Sequence, residues 1–415
     1  LLICLFFSFY LSASEVWVIP VQGAIGPASS DYITRELSLA NDKQVSLVIL
    51  QMDTPGGLDS AMRDIIQAIT TSSVPAATWV GPSGARAASA GTYILLASHL
   101  AVMANATNLG AATPISIGMQ GMQPSPENAS EKSDPKDEKQ NKSTSSSNDK
   151  KVSAKTTLEK KAINDATAYI VGLAKLHGRN EKWAATAVTE AASLDAQEAL
   201  KKGVIDFIAD DLKQLITTAN QQQIQLNGQL IPLQLGNVEF TLRQPDWRFQ
   251  FLAALTNPNI AYILMLIGIY GLLLEFYNPG IGLPGVLGGI CLLLGMYALQ
   301  VLPINYAGLA LILLGLTLLV AEVFSPSFGL LGLGGMTAFV LGSVFLMDSD
   351  LPAFQIAKPL IAGFAFSSAV FTFVILSLLL KARRKKVITG ISCMIGQIAV
   401  VSDDFDQQMG WVDIA

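Results

Sequence analysis

From about Thr256 to Leu380 the chain is almost continuously apolar, and membrane insertion is the reading that such a block forces. Turn residues divide it into about five spans, 258 to 276, 281 to 301, 305 to 324, 328 to 347 and 357 to 380. Most are near the ~20 residues that a helix needs to cross the hydrocarbon core. The boundary between the first two is weak, and a re-entrant pair is the alternative there. The last span runs into KARRKK, Lys381 to Lys386, which the positive-inside rule places in the cytoplasm. Over the whole chain 51% of residues are hydrophobic and only 14% charged, and the apolar residues are concentrated in this half.

A repeat lies inside the apolar block. EFYNPGIGLPGVLG (Glu275 to Gly288) and EVFSPSFGLLGLGG (Glu322 to Gly335) match at Glu, Pro, Gly, Leu, Gly and Gly with a constant offset of 47. Two related hairpins are therefore expected. Glu275 and Glu322 each fall near a span end beside a Pro. They are read either as interfacial carboxylates capping a loop or as intramembrane carboxylates lining a polar path.

The first half reads differently. LLICLFFSFYLSASEV opens the chain with about a dozen apolar residues ending in the small Ser12 and Ser14, like the hydrophobic region and cleavage site of a secretory signal. Residues 1–14 are thus expected to be a partial signal peptide, with a short anchor or a buried strand as the alternative. From Val16 to about Leu212, VWVIPVQG, VSLVILQMD and AATWVGPSG read as buried strands and AMRDIIQAI as a helix. That alternation predicts a mostly parallel α/β sheet. DTPGG, Asp53 to Gly57, turns one strand directly into a helix.

Between about 119 and 157, Ser, Lys, Asp, Glu, Asn and Pro dominate, and the stretch is read as a disordered insertion. The fold resumes with KAINDATAYIVGLAKLHGRN, which is helical, and with ASLDAQEALKKGVIDFIAD, a helix leading through Gly203 into a strand. An exported domain over 15–255 and an odd number of spans put the end of the last span inside, in agreement with KARRKK. The expected organisation is this exported domain, a transmembrane domain over 256–381, and the start of a small, truncated β domain over 387–415.

Several functions are excluded by composition. A net charge of −5 without a basic face leaves nothing for nucleic acid. Cys4, Cys291 and Cys393 lie outside the segment between signal and membrane, so no disulfide framework or thiolate metal site is available there. With only His99 and His177, no histidine-rich metal centre is expected either, and no cofactor is implied.

The chemistry concentrates in two glycine-rich turns. In GARAASAGTYI, Gly84 to Ile94, one serine sits among residues with almost no side chains before a helical segment. Such crowding suits either a nucleophile or a tight packing contact. In a parallel sheet, turns at the carboxyl ends of strands converge on one crevice. Backbone N–H groups at Gly56 or Gly57, with that of Ala90, would then supply two oxyanion donors near Ser89. His99 offers no Ser-His pair, because an offset of ten on a helix turns its side chain about 80° away and places it three turns distant.

DTPGG, GARAASAGTYI and KAINDATAYIVGLAKLHGRN, in this order and followed by several spans, resemble the NfeD family of membrane-bound serine proteases in its long form. The resemblance covers nearly the whole chain. It implies a ClpP/crotonase-type α/β protease domain related to signal peptide peptidase A, then an all-α membrane domain and an OB-type C-terminal domain. It makes Ser89 the nucleophile and Lys161 the general base, since the family's lysine begins a K-x-x-N-D-A segment matched by Lys161, Asn164, Asp165 and Ala166. From periodicity alone, Lys160 and a merely solvated lysine both stay open. A lysine acts as base only when neutral, which requires desolvation to bring it down from about 10.4. The 72 positions between Ser89 and Lys161 add only about 1 kcal/mol of closure entropy over a much shorter connection. The insertion is alternatively a flexible lid or a partner segment.

The resemblance further implies a bacterial inner-membrane protein, homo-oligomeric and in contact with membrane lipid. Its protease domain would be periplasmic or extracytoplasmic, its C-terminal domain cytoplasmic, and stomatin/prohibitin-type proteins its substrate or partner. A catalytically weak scaffold for such proteins is the second expectation, and a crotonase-like acyl-CoA enzyme the third. The export signal argues against the last.

Overall fold

The structure is a computed structural model that describes residues 14–114, 148–226, 228–277, 280, 282–302, 304–324, 329–347, 354–383, 399–401 and 412–414. The chain divides into two units, Leu1–Ile304 with Met347–Gln355, and Asn305–Leu346 with Ile356–Ala415.

In the first unit the elements run β1 (Ser14–Gln22), α1 (Pro27–Lys43), β2 (Leu47–Asp53), α2 (Asp59–Thr70), β3 (Ala76–Val80), β4 (Arg86–Ala88), α3 (Ala90–Ala97), β5 (Leu100–Met103) and β6 (Asn108–Gly110). After the insertion come α4 (Asn148–Leu176), α5 (Glu181–Thr189), β7 (Ser193–Asp195), α6 (Ala196–Lys201), β8 (Phe207–Ile208) and α7 (Leu212–Ala219). The hairpin β9 (Gln223–Leu226) and β10 (Gln229–Pro232), then β11 (Val238–Leu242), α8 (Trp247–Leu255), α9 (Pro258–Tyr277) and α10 (Leu283–Val301) complete it.

Six strands form a sheet in the order β11-β1-β2-β3-β5-β8, every neighbouring pair parallel. Parallel strands covered on both faces read as unbroken apolar runs, and Leu47, Val48, Ile49 and Leu50 are all fully buried. On one face Val16, Val18, Leu47, Ile49, Trp79 and Val102 share a core with Leu215, Ile216 and Ala219 of α7. Each fully buried Leu or Ile there contributes about 2 kcal/mol of transfer free energy. A second sheet, β4-β6-β7, stands at the carboxyl ends of the main strands. It is tied to them through a bridge between Thr54 and Ala87.

Two features differ from the sequence reading. Helix α4 begins at Asn148, so regular structure reaches back into the stretch expected to be irregular up to 157; residues 115–147 lie outside the described residues. The chain after Leu212 also returns to the sheet, and β11 pairs with β1 in the register Ser14↔Val238. VEFTL is partly exposed along its length, as an edge strand is, so it carries none of the apolar signal of the central strands.

The expected spans are helices. Among the described residues Pro258–Phe276 and Leu283–Val301 are long and apolar enough to cross a membrane, and Tyr306–Glu322, Leu330–Leu346 and Lys358–Val370 are shorter apolar stretches. In the first unit α9 and α10 form one hairpin. In the second unit α11 (Tyr306–Phe324) and α12 (Leu330–Leu346) form another, followed by α13 (Lys358–Arg383) and the antiparallel pair β12 (Ala399–Val401) and β13 (Val412–Ile414). Most of the expected OB-type segment lies outside the described residues, as do residues 1–13 of the expected signal peptide 1–14, whose last residue, Ser14, begins β1.

The 47-residue repeat is a repeat of hairpin contacts. Gly268, Gly288 and Gly295 lie against the facing helix so closely that an added Cβ would come within 2.7, 2.9 and 2.9 Å of Leu292, Leu272 and Met265. Their counterparts Gly315, Gly335 and Gly342 would meet Phe339, Gly315 and Ile312 at 2.6, 2.8 and 2.6 Å. The glutamates also match. Glu275 accepts hydrogen bonds from the backbone N–H groups of Gly280 and Gly282, at 3.3 and 3.0 Å, and Glu322 from those of Gly329 and Gly332, at 3.0 and 3.2 Å. Each carboxylate thus caps the N-terminus of the next helix, where unpaired N–H groups and the helix dipole favour negative charge. This is the loop-capping reading of the two glutamates.

Candidate active site

Ser89 sits between β4 and α3 as the N-cap of the helix, with φ +50° and ψ −115°. That conformation is costly for a residue with a Cβ, by about 1–3 kcal/mol. Its neighbours hold it there. Ser89 donates its N–H to the carbonyl of Gly110 at 2.9 Å, and Thr92, fully buried, donates its hydroxyl to the carbonyls of Ala87 and Gly110 at 2.8 and 3.1 Å. The Gly110 N–H donates back to Thr92 Oγ1 at 3.0 Å.

The small residues around Ser89 are explained by what they face. A Cβ on Gly91 would lie 2.6 Å from Thr54 Cγ2, and one on Gly56 only 2.7 Å from Ser89 Cβ and 3.2 Å from its Oγ. DTPGG and AASAG are therefore in direct contact, as the convergence of turns in a parallel sheet predicts. Two backbone bonds join them, Thr54 N–H to the Arg86 carbonyl at 2.8 Å and Ala88 N–H to the Thr54 carbonyl at 3.1 Å. Asp53 adds a third by accepting the Arg86 N–H at 3.1 Å.

The N–H groups divide unequally. Gly56 donates to Thr54 Oγ1 at 3.1 Å, so its N–H is occupied. Gly57 and Ala90 donate to no acceptor among the described residues. Ala90 is only 3% exposed, and a buried N–H left unpaired at a helix start is a ready place for an anionic oxygen. The Gly57 backbone is pressed against Ile25, where a Cβ would fall 1.9 Å from the carbonyl oxygen. Only glycine fits there.

Lys161 lies exposed on α4, as does Lys160, and among the described residues neither Ser89 Oγ nor Lys161 makes a hydrogen bond or ion pair. The structure therefore brings Ser89, Gly56, Gly57 and Ala90 together but does not join Lys161 to Ser89. It does show how α4 is laid. Tyr169 stacks on Tyr93 of α3, with ring centroids 6.1 Å apart, and His177 meets the Ala97 carbonyl at 3.1 Å, so the two helices run in the same direction. Arg63 of α2 bonds both Asp59, at 2.8 Å, and Asp165, at 3.0 Å, and lies 4.4 Å over the Tyr169 ring. Asp165 and Tyr169 mark the edge of α4 that faces α2. Lys161 continues this edge about 80° around from Tyr169, whereas Lys160 stands about 180° away.

His99 is structural. It is buried beyond the far end of α3, its Nδ1 accepting the Ala76 N–H at 3.1 Å and its ring 5.6 Å edge-on from His177. Burial pushes both histidines down to about 4, the Arg179 guanidinium adding to the effect. Arg179, with its side chain 2% exposed, pairs with Asp206 at 2.8 Å and donates to the Leu95 and Leu96 carbonyls at 3.3 and 2.8 Å. It thereby caps the C-terminus of the helix that begins after Ser89. Thr54, Thr92, Arg63, Tyr93 and Arg179 escaped the sequence reading. The two threonines lie inside or beside the quoted turns, but nothing local shows where a hydroxyl points.

The domain organisation and the membrane helices now have counterparts elsewhere. The family of the NfeD1b N-terminal domain matches residues 15–228, and that of the NfeD integral membrane domain matches 259–378. A membrane-bound protease of Pyrococcus horikoshii, PH1510, is 31% identical over 407 residues, covering 96% of this chain and 85% of that protein. The chain belongs to the NfeD family. It is an integral membrane protein. Membrane protein NfeD1b of Bacillus subtilis is 29% identical over 68% of this chain and 55% of its own.

Two solved structures are also similar to this NfeD chain. One is the 1510-N membrane-bound stomatin-specific protease, a lysine-to-alanine mutant in complex with a substrate peptide, at 31% identity over 58% of this chain and 97% of that one, TM-score 0.47. The other is the 1510-N membrane protease specific for a stomatin homolog from Pyrococcus horikoshii, at 29% identity over 59% and 100%, TM-score 0.45.

Proposed function

We propose that this chain is a serine endopeptidase with a ClpP/crotonase-type catalytic domain, in which Ser89 is the nucleophile and Lys161 the general base. The observation that carries the reading is the strained Ser89 against Gly56, followed in the chain by the unpaired N–H of Ala90, with that of Gly57 next to Gly56. Neutral Lys161 takes the hydroxyl proton as Ser89 Oγ attacks the peptide carbonyl carbon. The oxyanion is held by the Gly57 and Ala90 N–H groups, a pair of donors worth about 3 kcal/mol or more. Collapse expels the amine, which takes the proton from Lys161, and water then hydrolyses the acyl-enzyme by the same route. Gly56 serves by clearing the space in front of Ser89, its own N–H being held by Thr54.

Lys161 reaches this role when the first turns of α4 close over Ser89 and desolvate its amine. The parallel course of α3 and α4 and the edge defined by Asp165 and Tyr169 support Lys161 over Lys160. The substrates proposed are apolar segments of stomatin/prohibitin-type membrane proteins, on the strength of family membership. The exposure of Lys161 favours one second reading, a weakly active scaffold that organises such proteins.

Hydrolysis of an apolar peptide by the purified chain separates the two. Ser89→Ala should abolish turnover without unfolding the domain, Lys161→Arg should be nearly inactive because a guanidinium stays protonated, and Lys160→Arg should keep most of the rate. Turnover surviving in Ser89→Ala would remove Ser89 from the mechanism. Inactive wild type would leave the scaffold. For topology we propose an exported catalytic domain and a cytoplasmic C-terminus. A reporter active only outside the cytoplasm should signal when fused after Leu212 and stay silent after Lys386, and equal signals would overturn the five-span topology.

A further inference from the structure

The helix α8 joins the α/β domain to the first membrane helix, and its sequence does not suit a soluble linker. In WRFQFLAAL only Arg248 and Gln250 are polar, and no acidic side chain lies within it. Its inner side is accounted for. Phe249 packs on Tyr32 of α1 with ring centroids 5.4 Å apart, and the capping Asp246 is held by Arg35 at 3.0 Å. The outer side is not. Trp247 is 71% and Phe251 55% exposed, one helical turn apart on one face. Two large exposed aromatic side chains on one face of a short helix call for a protein or lipid surface to cover them.

Chain continuity identifies lipid as the occupant. The Thr256 N–H bonds the Leu252 carbonyl and the Asn257 N–H that of Ala254, and the Ala261 N–H then bonds Asn257, so α8 passes into α9 through a tight turn. The two connecting residues span at most about 10 Å. α9 enters the bilayer there, with most of its apolar window uncovered by protein. The outer face of α8 therefore stands at the level of the headgroups. Its chemistry suits that layer, where Trp is enriched, and Arg248 lies 5.8 Å over the Trp247 ring.

We propose that α8 lies in the lipid headgroup layer with Trp247 and Phe251 inserted among the acyl-chain ends, and that it docks the α/β domain on the membrane surface through α1. The inference is independent of the chemistry assigned to Ser89. It predicts a shallow, lipid-exposed tryptophan among the five in the chain.

The test uses the full chain in vesicles of phosphatidylcholine and phosphatidylglycerol, brominated either near the headgroup end of the acyl chain or at its middle. The emission removed by Trp247→Phe should be quenched about twofold more by the shallow bromines than by the mid-chain ones, and little by aqueous iodide. Phe251→Trp in the Trp247→Phe background should report the same depth, which covers the case in which Trp247→Phe alone disturbs the fold. Strong iodide quenching would place α8 in water. Emission protected from both bromines and iodide would mean that protein, such as a second copy, covers the face, and stronger quenching from mid-chain would mean that α8 is part of the span. Any of these three results overturns the proposal.

Discussion

In the α/β region Gly56 faces a side chain: with φ +113° it clears the space that Ser89 occupies, and an added Cβ would collide with the serine itself. In the helix hairpins Gly288 and Gly335 have ordinary helical backbone and face other backbone, an added Cβ falling 2.9 Å from the Leu272 nitrogen or 2.8 Å from the Gly315 carbonyl oxygen. The same residue thus shapes a reaction space in one region and an interhelical distance in the other. Packing between membrane helices lacks the hydrophobic drive available in water, so close backbone approach at small residues has to replace it. The contrast predicts different losses, kinetic in the first region and structural in the second.

Gly56→Ala gives the largest effect. Peptide hydrolysis should fall by at least ~100-fold, because displacing a nucleophile by about 1 Å costs that much. Gly84→Ala is the matched control, since Gly84 also has positive φ but open surroundings. It should cost about 1–2 kcal/mol of stability with kcat near wild type. If both substitutions reduce kcat alike, backbone strain rather than the contact with Ser89 is responsible.

Gly288→Leu and Gly335→Leu come next. Each should push its hairpin apart and lower stability in a detergent unfolding titration by about 2–3 kcal/mol, with the rate per folded molecule unchanged. Gly289→Leu and Gly334→Leu, one position along and facing open space, should stay within about 0.5 kcal/mol of wild type. Equal losses at adjacent positions would refute glycine-mediated packing.

Acid should separate the regions by another route. His99 and His177 sit at about 4 when folded, against 6.5 for the free side chain. Between these values the unfolded chain binds protons that the folded one refuses. Their contribution to stability is complete above pH 6.5 and lost as pH falls towards 4, on the order of 3 kcal/mol for each histidine. Hydrogen exchange across that range should show protection falling in β3, β5 and α3 but not in α9 and α10. Replacing both histidines with Gln should flatten the profile.

The smallest effect is expected from Arg63→Met. The ion pairs of Arg63 are exposed and contribute little to stability, but they tie α4 to α2. A loss in kcat of roughly 5-fold, with KM and melting temperature nearly unchanged, would show that the position of α4 matters for the rate. No change would mean that the contacts of α4 with α3, at Tyr93–Tyr169 and His177–Ala97, set its position without Arg63.

Much of this was legible in the residues themselves. Apolar runs of seven to nine residues became β1 and β2, the five apolar spans became five helices, and the 47-residue offset became two hairpins with matching contacts. Strand and helix periods and span lengths are local properties, so local sequence suffices to determine them. The convergence of DTPGG on the Ser89 turn was also readable, because turns at the carboxyl ends of neighbouring parallel strands have only one crevice to share.

Only the tertiary structure decided which N–H groups are free. Gly56 and Gly57 are indistinguishable in sequence, and they differ because Thr54 Oγ1 reaches back to one of them while Ile25 crowds the other. It also decided that Arg179, ninety residues beyond Ser89, caps the helix that starts there, and that β11 pairs beside β1 across more than two hundred residues. These are matters of hydrogen-bond ownership and strand pairing between distant segments. Such partners carry no period and no spacing, and they come together only when the chain closes on itself.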